Sequence, residues 1–338
     1  MKAIRIHAHG GPEVMRWEDV ALPPPAAGEA RVRHTAIAVN FSDLNLRRGG
    51  FYTSEPMPMP LILGNEAAGV VESVGEGVAN VKPGDRIAYV GVNAAFYQHT
   101  GAYAEARNMP ATRLIPLPDG LSNARAAAMM VKGLTASLVV HRVFTPKPGD
   151  TVLIHAAASG VGMILAQWAK HLGATVIGTV GSRDKAEIAA AHGCDHTILY
   201  RETDFVAAVK RIAPQGVHAV YDGVGKDTFT PSLDCIRPFG IIVNYGNASG
   251  HVPPLDILDL SRKGALSVSR PGLSHYLKDL DGFRAAAGEL FRLVSDRTLR
   301  IEISRTYPLP DAAQAHRDIE SRTISGSVVL IPEPAVQT

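Results

Sequence analysis

The sequence predicts an α/β protein of two domains, a β-rich one followed by one built on a parallel sheet, and three observations carry that prediction. A chain of 338 residues is long for a single domain, since domains commonly hold roughly 100–200 residues. Short β-type runs broken by Pro and Gly fill its first third, whereas from Thr151 onward β-branched runs alternate with helical patterns. That second order is the signature of βαβ units, which stack their strands in parallel and cover them with helices.

In the β-rich part, residues 30–39 alternate, 69–74 are apolar, and 85–90 follow the Pro83-Gly84 turn. The texture changes near 122–126 to an alanine-rich helix, 124–143, and Pro146-Lys147-Pro148-Gly149-Asp150 then punctuates the chain. Strands are expected at 151–155, 174–180, 196–200, 217–222 and 240–245, with a further one at 265–269. Between the first two, Val161, Ile164, Leu165, Trp168 and Leu172 recur at helical spacing and give that helix one apolar face. Ser182 is placed to cap the next helix and Gly193 to end it. A helix at 281–293 and a strand at 327–331 close the chain and are expected to return to the first domain. The expected domains are therefore 1–124, 125–265 and a return segment 266–338.

Composition narrows the function classes. Hydrophobic residues make up 46% and charged residues 20%, values of an ordinary globular protein and not of a disordered one. The net charge is +2 with no long block of either sign, so nucleic acid is not an expected partner. Two cysteines, Cys194 and Cys235, cannot build a disulfide framework or a four-thiolate zinc site, and they fit a reducing compartment. The first residues lack an apolar signal core and no uninterrupted apolar run reaches about 18 residues, so a cytoplasmic protein without a membrane partner is expected.

The most informative segment follows the first parallel strand: Ala156-Ala157-Ala158-Ser159-Gly160-Val161-Gly162 leads directly into the amphipathic helix. A diphosphate approaches a backbone only where side chains are small, and there it meets free N–H groups and the positive end of the helix dipole. Ala158, Ser159, Gly160, Val161 and Gly162 are thus the candidate cofactor cradle, with Ser159 in a place where a fingerprint glycine is common. NAD users put an acid at the end of the second strand to hold the ribose 2′-hydroxyl. This chain has Gly178-Thr179-Val180-Gly181-Ser182-Arg183 there. Ser182, Arg183, Lys185 and Tyr200 suit a 2′-phosphate instead, and NADPH is the expected cofactor.

A set of ordered motifs spans nearly the whole chain: Gly-Gly-Pro-Glu-Val at 10–14, Val39-Asn40-Phe41-Ser42-Asp43, Gly64-Asn65-Glu66-Ala67-Ala68-Gly69, Lys132-Gly133-Leu134-Thr135, the turn 155–162, Tyr221-Asp222-Gly223-Val224-Gly225, Gly246-Asn247 and Arg270-Pro271. On these the chain resembles the medium-chain dehydrogenase/reductase superfamily and, within it, the zinc-independent quinone oxidoreductases, the group that includes zeta-crystallin. The resemblance implies a Rossmann-type domain joined to a GroES-like catalytic domain. Zinc-using relatives read Gly-His-Glu where this chain has Gly64-Asn65-Glu66, and Asn40 resembles the position of their ligand cysteine. Amides are poor zinc ligands and residues 91–108 lack the cysteine quartet of a structural zinc lobe, so no metal is expected. Glu66 is read as structural, paired to a base or to backbone.

Asn40, Asp43, Tyr52, Lys132 and Thr135 are implied to line the substrate cleft, Gly246 and Asn247 to face the cofactor, and residues 265–268 to supply the edge of a homodimer. Asn45, where relatives often carry tyrosine, leaves the details of that pocket open. Without ligands for a Lewis acid the hydride acceptor must already be electrophilic, which points to quinone reduction, with an enone or alkene reductase as the nearest alternative. A non-catalytic nucleotide- or RNA-binding protein is the alternative from another class. His192, Cys194 and His196 alternate but lack a fourth ligand, His155 reads as a core residue, and no Gly-x-Ser-x-Gly elbow occurs.

Overall fold

The structure, a computed structural model, describes residues 1–49, 57–91 and 99–332. It divides into two compact units: Met1–Val131 with Ser274–Ser295 and Ile301–Thr338, and Lys132–Leu273 with Asp296–Arg300.

The first unit contains β1 (Lys2–Ile6), β2 (Met15–Asp19), β3 (Glu29–Val39), α1 (Phe41–Arg48), β4 (Leu61–Ile62), β5 (Glu66–Val74), β6 (Arg86–Val90), β7 (Ala106–Pro110) and β8 (Ile115–Pro116). α2 (Asn123–Leu138) leads onward. In the second unit come β9 (Thr151–Ile154), α3 (Gly160–His171), β10 (Thr175–Val180), α4 (Arg183–Ala191), β11 (His196–Leu199), α5 (Phe205–Ile212), β12 (Val217–Asp222), β13 (Ile236–Asn244) and β14 (Ser267–Ser269). The helix Leu280–Ser295, β15 (Ile303–Pro308), the helix Ala312–Glu320 and β16 (Ser327–Ile331) belong to the first unit again.

β3 organises the first unit. Ala30, Val32, His34 and Ala36 alternate inward, and from Ile37 to Val39 every residue is buried, because β3 pairs with β5, β7 and β16. The sheet runs β15-β16-β3-β5-β6-β8, with a smaller β2-β1-β4 sheet beside it. Ile4, Ile37, Leu44, Leu63, Tyr89, Tyr103 and Leu330 fill a common core. α1 enters this core through Leu44 and Leu46 and stops at Gly49, whose φ of 104° is the left-handed cap that glycine adopts without a Cβ clash.

In the second unit the order is β11-β10-β9-β12-β13-β14 with every pairing parallel. Counted from β9 this is 3-2-1-4-5-6, so the strand order reverses between β9 and β12, and a ligand crevice belongs at the carboxyl ends there. Leu153, Ile177, Val220 and Ile242 form the sheet's contribution to its core. β13 starts at Ile236, earlier than the expected 240, because Ile236 pairs with Val217 before a register shift.

The division between the units falls inside α2, whereas the expected 124/125 boundary marks only where that helix begins. A return at 266 would detach β14, yet Ser267–Ser269 pairs with Ile241–Val243 in the second unit's sheet. Ser182 sits at the N-cap of α4 but its side chain makes no capping bond there. Residues 123–143, α2 with the π-helical turn Val139–Val143, are long and apolar enough to cross a membrane by composition. Its most apolar stretch is 78% buried within the fold, as for a core helix.

Candidate active site

The cradle begins where β9 ends. Ala156 takes a positive φ of 52°, turning the chain sharply, and Ser159 becomes the N-cap of α3, its Oγ accepting the Gly162 N–H at 3.1 Å. A Cβ on Gly162 would stand 2.3 Å from the Ala156 carbonyl oxygen and 2.9 Å from Ala157 Cα, so this position admits only hydrogen. The Ser159 hydroxyl proton is still available to donate. With no acidic residue in its first turn, α3 presents its positive dipole end to the turn, while Lys170 and His171 complement the opposite end. The small turn, the closely packed glycine and the helix terminus fit a diphosphate.

At the neighbouring carboxyl ends of β10 and β11, Tyr200 and Arg201 stand against Gly181, the residue before Ser182 and Arg183. A Cβ on Gly181 would lie 3.0 Å from the Tyr200 hydroxyl and 3.3 Å from Arg201 Nε. Arg201 was missed by sequence reasoning, although its signal was simple: a second cation directly after Tyr200 at a strand end. Arg183 is well exposed and lies 3.8 Å from Glu202, which is exposed but less so, a surface pair worth at most about 1 kcal/mol. Lys185 is half-buried in the first turn of α4. Gly246 and Asn247 follow β13, and a Cβ on Gly246 would meet the Gly223 carbonyl oxygen at 2.5 Å.

In the first unit, Asn40 and Asp43 open α1, and the Asp43 carboxylate accepts the Asn40 N–H at 2.9 Å. The two positions that the family resemblance matches to zinc ligands are here amides gripped by acids. Asn40 Nδ2 donates to Glu66 Oε1 at 2.7 Å, and Asn65 Nδ2 to Asp43 Oδ1 at 3.1 Å. Glu66 also accepts the Val131 N–H. A carboxylate accepts only, so each acid turns the NH2 side of its amide toward itself. An amide locked in this way offers zinc no basic ligand, and among the described residues no group of three His, Cys, Asp or Glu side chains could hold a metal. These residues do not fit the metal.

Asp43 is also the end of a buried chain that the sequence did not reveal. Tyr103 donates to Asp43 Oδ2 at 3.2 Å, Tyr103 Oη and His316 Nε2 are 3.0 Å apart, and Arg47 reaches His316 Nδ1 at 3.4 Å. Arg47 can only donate and Asp43 can only accept, so neutral His316 carries its proton on Nε2 and every bond points toward Asp43. Burial, with Arg47 and Arg48 nearby, depresses the His316 pKa to about 3. Burial raises the Tyr103 pKa, and the Asp43 charge adds to this. Arg47 ends in an ion pair with Glu320, which also binds Arg48 at 2.9 Å.

Lys132, buried, and Thr135, half-buried, lie on α2 within the second unit. Tyr52 falls outside the described residues. His192 Nδ1 donates to the Ile188 carbonyl at 2.8 Å, and burial pushes the Cys194 thiol up to about 12. His155 is fully buried between Thr179 Oγ1 at 2.9 Å and Ser232 Oγ at 2.7 Å, and burial lowers its pKa to about 4.

A dinucleotide-type parallel-sheet unit and a β-rich unit with an acid-and-amide cluster at the start of α1 define the two-part class of medium-chain dehydrogenases. Residues 26–119 match the alcohol dehydrogenase GroES-like domain family, and residues 160–275 match the zinc-binding dehydrogenase family. A 2-haloacrylate reductase from Burkholderia sp. is 42% identical over 335 residues, covering 97% of this chain and 98% of that protein. Quinone oxidoreductase 1 from Escherichia coli is 41% identical over 332 residues, covering 97% and 99%. The solved structure of Escherichia coli quinone oxidoreductase complexed with NADPH superposes with a TM-score of 0.92 at 40% identity, covering 98% of this chain and 100% of that one. The chain belongs to the zinc-independent quinone oxidoreductases of the medium-chain dehydrogenase/reductase superfamily.

Proposed function

We propose that the protein is an NADPH:quinone oxidoreductase that works without zinc. The observation that carries this reading is the pairing of an intact diphosphate cradle with metal-ligand positions occupied by amides that Asp43 and Glu66 hold fast. NADPH supplies the hydride. Ala158, Ser159, Gly160, Val161 and Gly162 hold its diphosphate, and Ser182, Arg183, Lys185, Tyr200 and Arg201 hold the 2′-phosphate by charge-assisted bonds. Gly246 and Asn247 face the cofactor's other half. The family resemblance assigns Asn40, Asp43, Tyr52, Lys132 and Thr135 to the substrate, a flat carbonyl compound; Asp43 and Glu66 fix the Asn40 side of that set.

The likeness to a 2-haloacrylate reductase favours one second reading, reduction of an activated carbon–carbon double bond by the same hydride geometry. NADPH oxidation measured against a benzoquinone, an alkenal and 2-chloroacrylate separates the two: faster turnover of the quinone supports the first reading, and turnover of the alkenes alone replaces it. NADPH is expected to bind more tightly than NADH by at least about tenfold, since each charge-assisted contact to the 2′-phosphate contributes about 1.5–3 kcal/mol. Equal dissociation constants would refute the assignment of Arg183 and Arg201. The reading includes a cytoplasmic homodimer without nucleic-acid or membrane partners. The short edge strand β14, with Val268 exposed, supports the dimer, and light scattering at micromolar concentration tests it.

A further inference from the structure

Two loops leave the carboxyl ends of β12 and β13, residues 223–228 and 245–250, and they are fastened to each other along their backbones. Ala248 N donates to Gly223 O at 3.2 Å, and Ser249 N and Oγ both donate to Val224 O, at 2.8 and 2.9 Å. Ser249 Oγ in turn accepts the Asp227 N–H at 3.0 Å. Gly223 and Gly246 make this possible, because a Cβ on Gly246 would be 2.5 Å from Gly223 O and one on Gly223 would be 2.7 Å from the Tyr245 ring. The result is one platform beside the point where the strand order reverses.

Three side chains hold the platform from beneath. Asp222, fully buried, accepts Val224 N at 2.8 Å, Gly225 N at 3.1 Å and Thr228 Oγ1 at 2.8 Å through one oxygen, and Asn244 Nδ2 at 3.2 Å through the other. Arg270 NH1 donates to the Asn244 carbonyl at 2.8 Å and to Asn244 Oδ1 at 2.9 Å. With the Asn247 amide oriented so that its nitrogen donates to Gly246 O at 2.8 Å, its oxygen accepts Arg270 NH2 at 3.3 Å. Asp222 can only accept and Arg270 can only donate, so the Asn244 amide between them has one possible orientation. A carboxylate and a guanidinium are thereby joined through one amide, and the planar fork of arginine reaches both Asn244 at the end of β13 and Asn247 in the loop after it, while the 223–228 loop is held through Asp222, a division of contacts a lysine point charge cannot reproduce.

Arg270 itself is exposed and lies just past edge strand β14, so core packing does not account for a cation there. We infer that Asp222, Asn244 and Arg270 are positioning residues that fix the 223–228 and 245–250 platform for the nicotinamide half of the cofactor. This rests on the NADPH reading above. The diphosphate belongs to the turn after β9 and the 2′-phosphate to the ends of β10 and β11, on one side of the strand-order reversal. The platform stands on the opposite side, after β12 and β13, where only the remaining half of a dinucleotide can extend.

The test uses the full chain with Arg270→Ala and Arg270→Lys, measuring dissociation constants for NADPH and for 2′,5′-ADP, which lacks the nicotinamide half, together with the melting temperature. Arg270→Ala is expected to weaken NADPH roughly tenfold, as for loss of one charge-assisted contact set, while 2′,5′-ADP stays within about twofold. Arg270→Lys is expected to recover only part of the NADPH affinity. Asn247→Ala, which removes one end of the same clamp, is the companion variant should Arg270→Ala fold poorly, and the same split is expected at about threefold. Equal weakening of NADPH and the fragment, or unchanged NADPH affinity, overturns the inference. A wild-type protein that binds neither ligand overturns the cofactor reading itself, a different and distinguishable failure.

Discussion

Replacing Tyr103 by Phe isolates one hydroxyl in the buried chain that ends at Asp43. The ring stays packed, because its edge lies against Gly64, where a Cβ would come within 2.4 Å of Tyr103 Cδ1. Two things are lost. Asp43 loses a bond from a neutral donor to a charge, worth about 1.5–3 kcal/mol. His316 keeps a proton on Nε2 that no longer has an acceptor, and an unsatisfied buried donor costs about 1–3 kcal/mol. Because both losses belong to one network they do not simply add, and a destabilisation of about 2–5 kcal/mol is expected. That is a large share of a stability that for native proteins is about 5–15 kcal/mol. Urea unfolding of wild type, Tyr103→Phe, His316→Leu and the double variant measures it. The double variant should lose clearly less than the two single losses combined, since His316→Leu removes the orphaned proton. A Tyr103→Phe protein within about 0.5 kcal/mol of wild type, or strict additivity, would show that the chain carries no directed energy.

Other perturbations give equally definite outcomes. His34, His155 and His316 have pKa values lowered by burial to about 4, 4 and 3. Below the free-histidine value of about 6.5 the unfolded chain therefore takes up protons that the folded chain refuses. Stability is complete above that pH and falls as pH drops toward about 4, by up to about 1.4 kcal/mol per unit and per histidine; urea midpoints that stay level between pH 7 and 5 contradict this. Gly162→Ala should abolish detectable NADPH binding with little change in the fold's circular dichroism, because the new methyl group would occupy space 2.3 Å from Ala156 O; retained affinity would place the diphosphate elsewhere. Purified protein is expected to hold no stoichiometric zinc, and chelation to leave turnover unchanged. A one-to-one zinc content lost together with activity would refute the reading of Asn40 and Asn65.

Much of the fold was legible because its signals are local. Strand period, helix-face repetition and the turn chemistry at 156–162 each lie within a dozen residues, and β9 to β12 appear within a residue or so of where period and branching put them. The unit boundaries were less legible, because a change of composition marks the start of α2 while compactness depends on contacts across the whole chain. The same limit applies to the site. Asn40 and Asn65 could be noticed as replacements, but that Glu66 and Asp43 each hold one of them is a pairing across 26 and 22 residues of sequence. The Arg47–His316 contact spans 269 residues and has no local trace. Arg201 does carry a local signal, a cation directly after Tyr200 at a strand end.

The grip of Asp43 on position 65 also bears on redesign. A histidine introduced there would find a carboxylate already placed to take one ring N–H and orient the other nitrogen outward, the arrangement by which acids tune imidazole ligands in metalloenzymes. The protein thus keeps an orienting shell for a ligand it does not have. Position 40 is different, since its amide is tied to Glu66 and its backbone N–H to Asp43. A thiolate placed there would face two acids instead of a waiting cation. Converting this scaffold to metal chemistry is therefore an electrostatic problem before it is a coordination problem: the negative charge that now steadies two amides would first have to be balanced by the incoming ion.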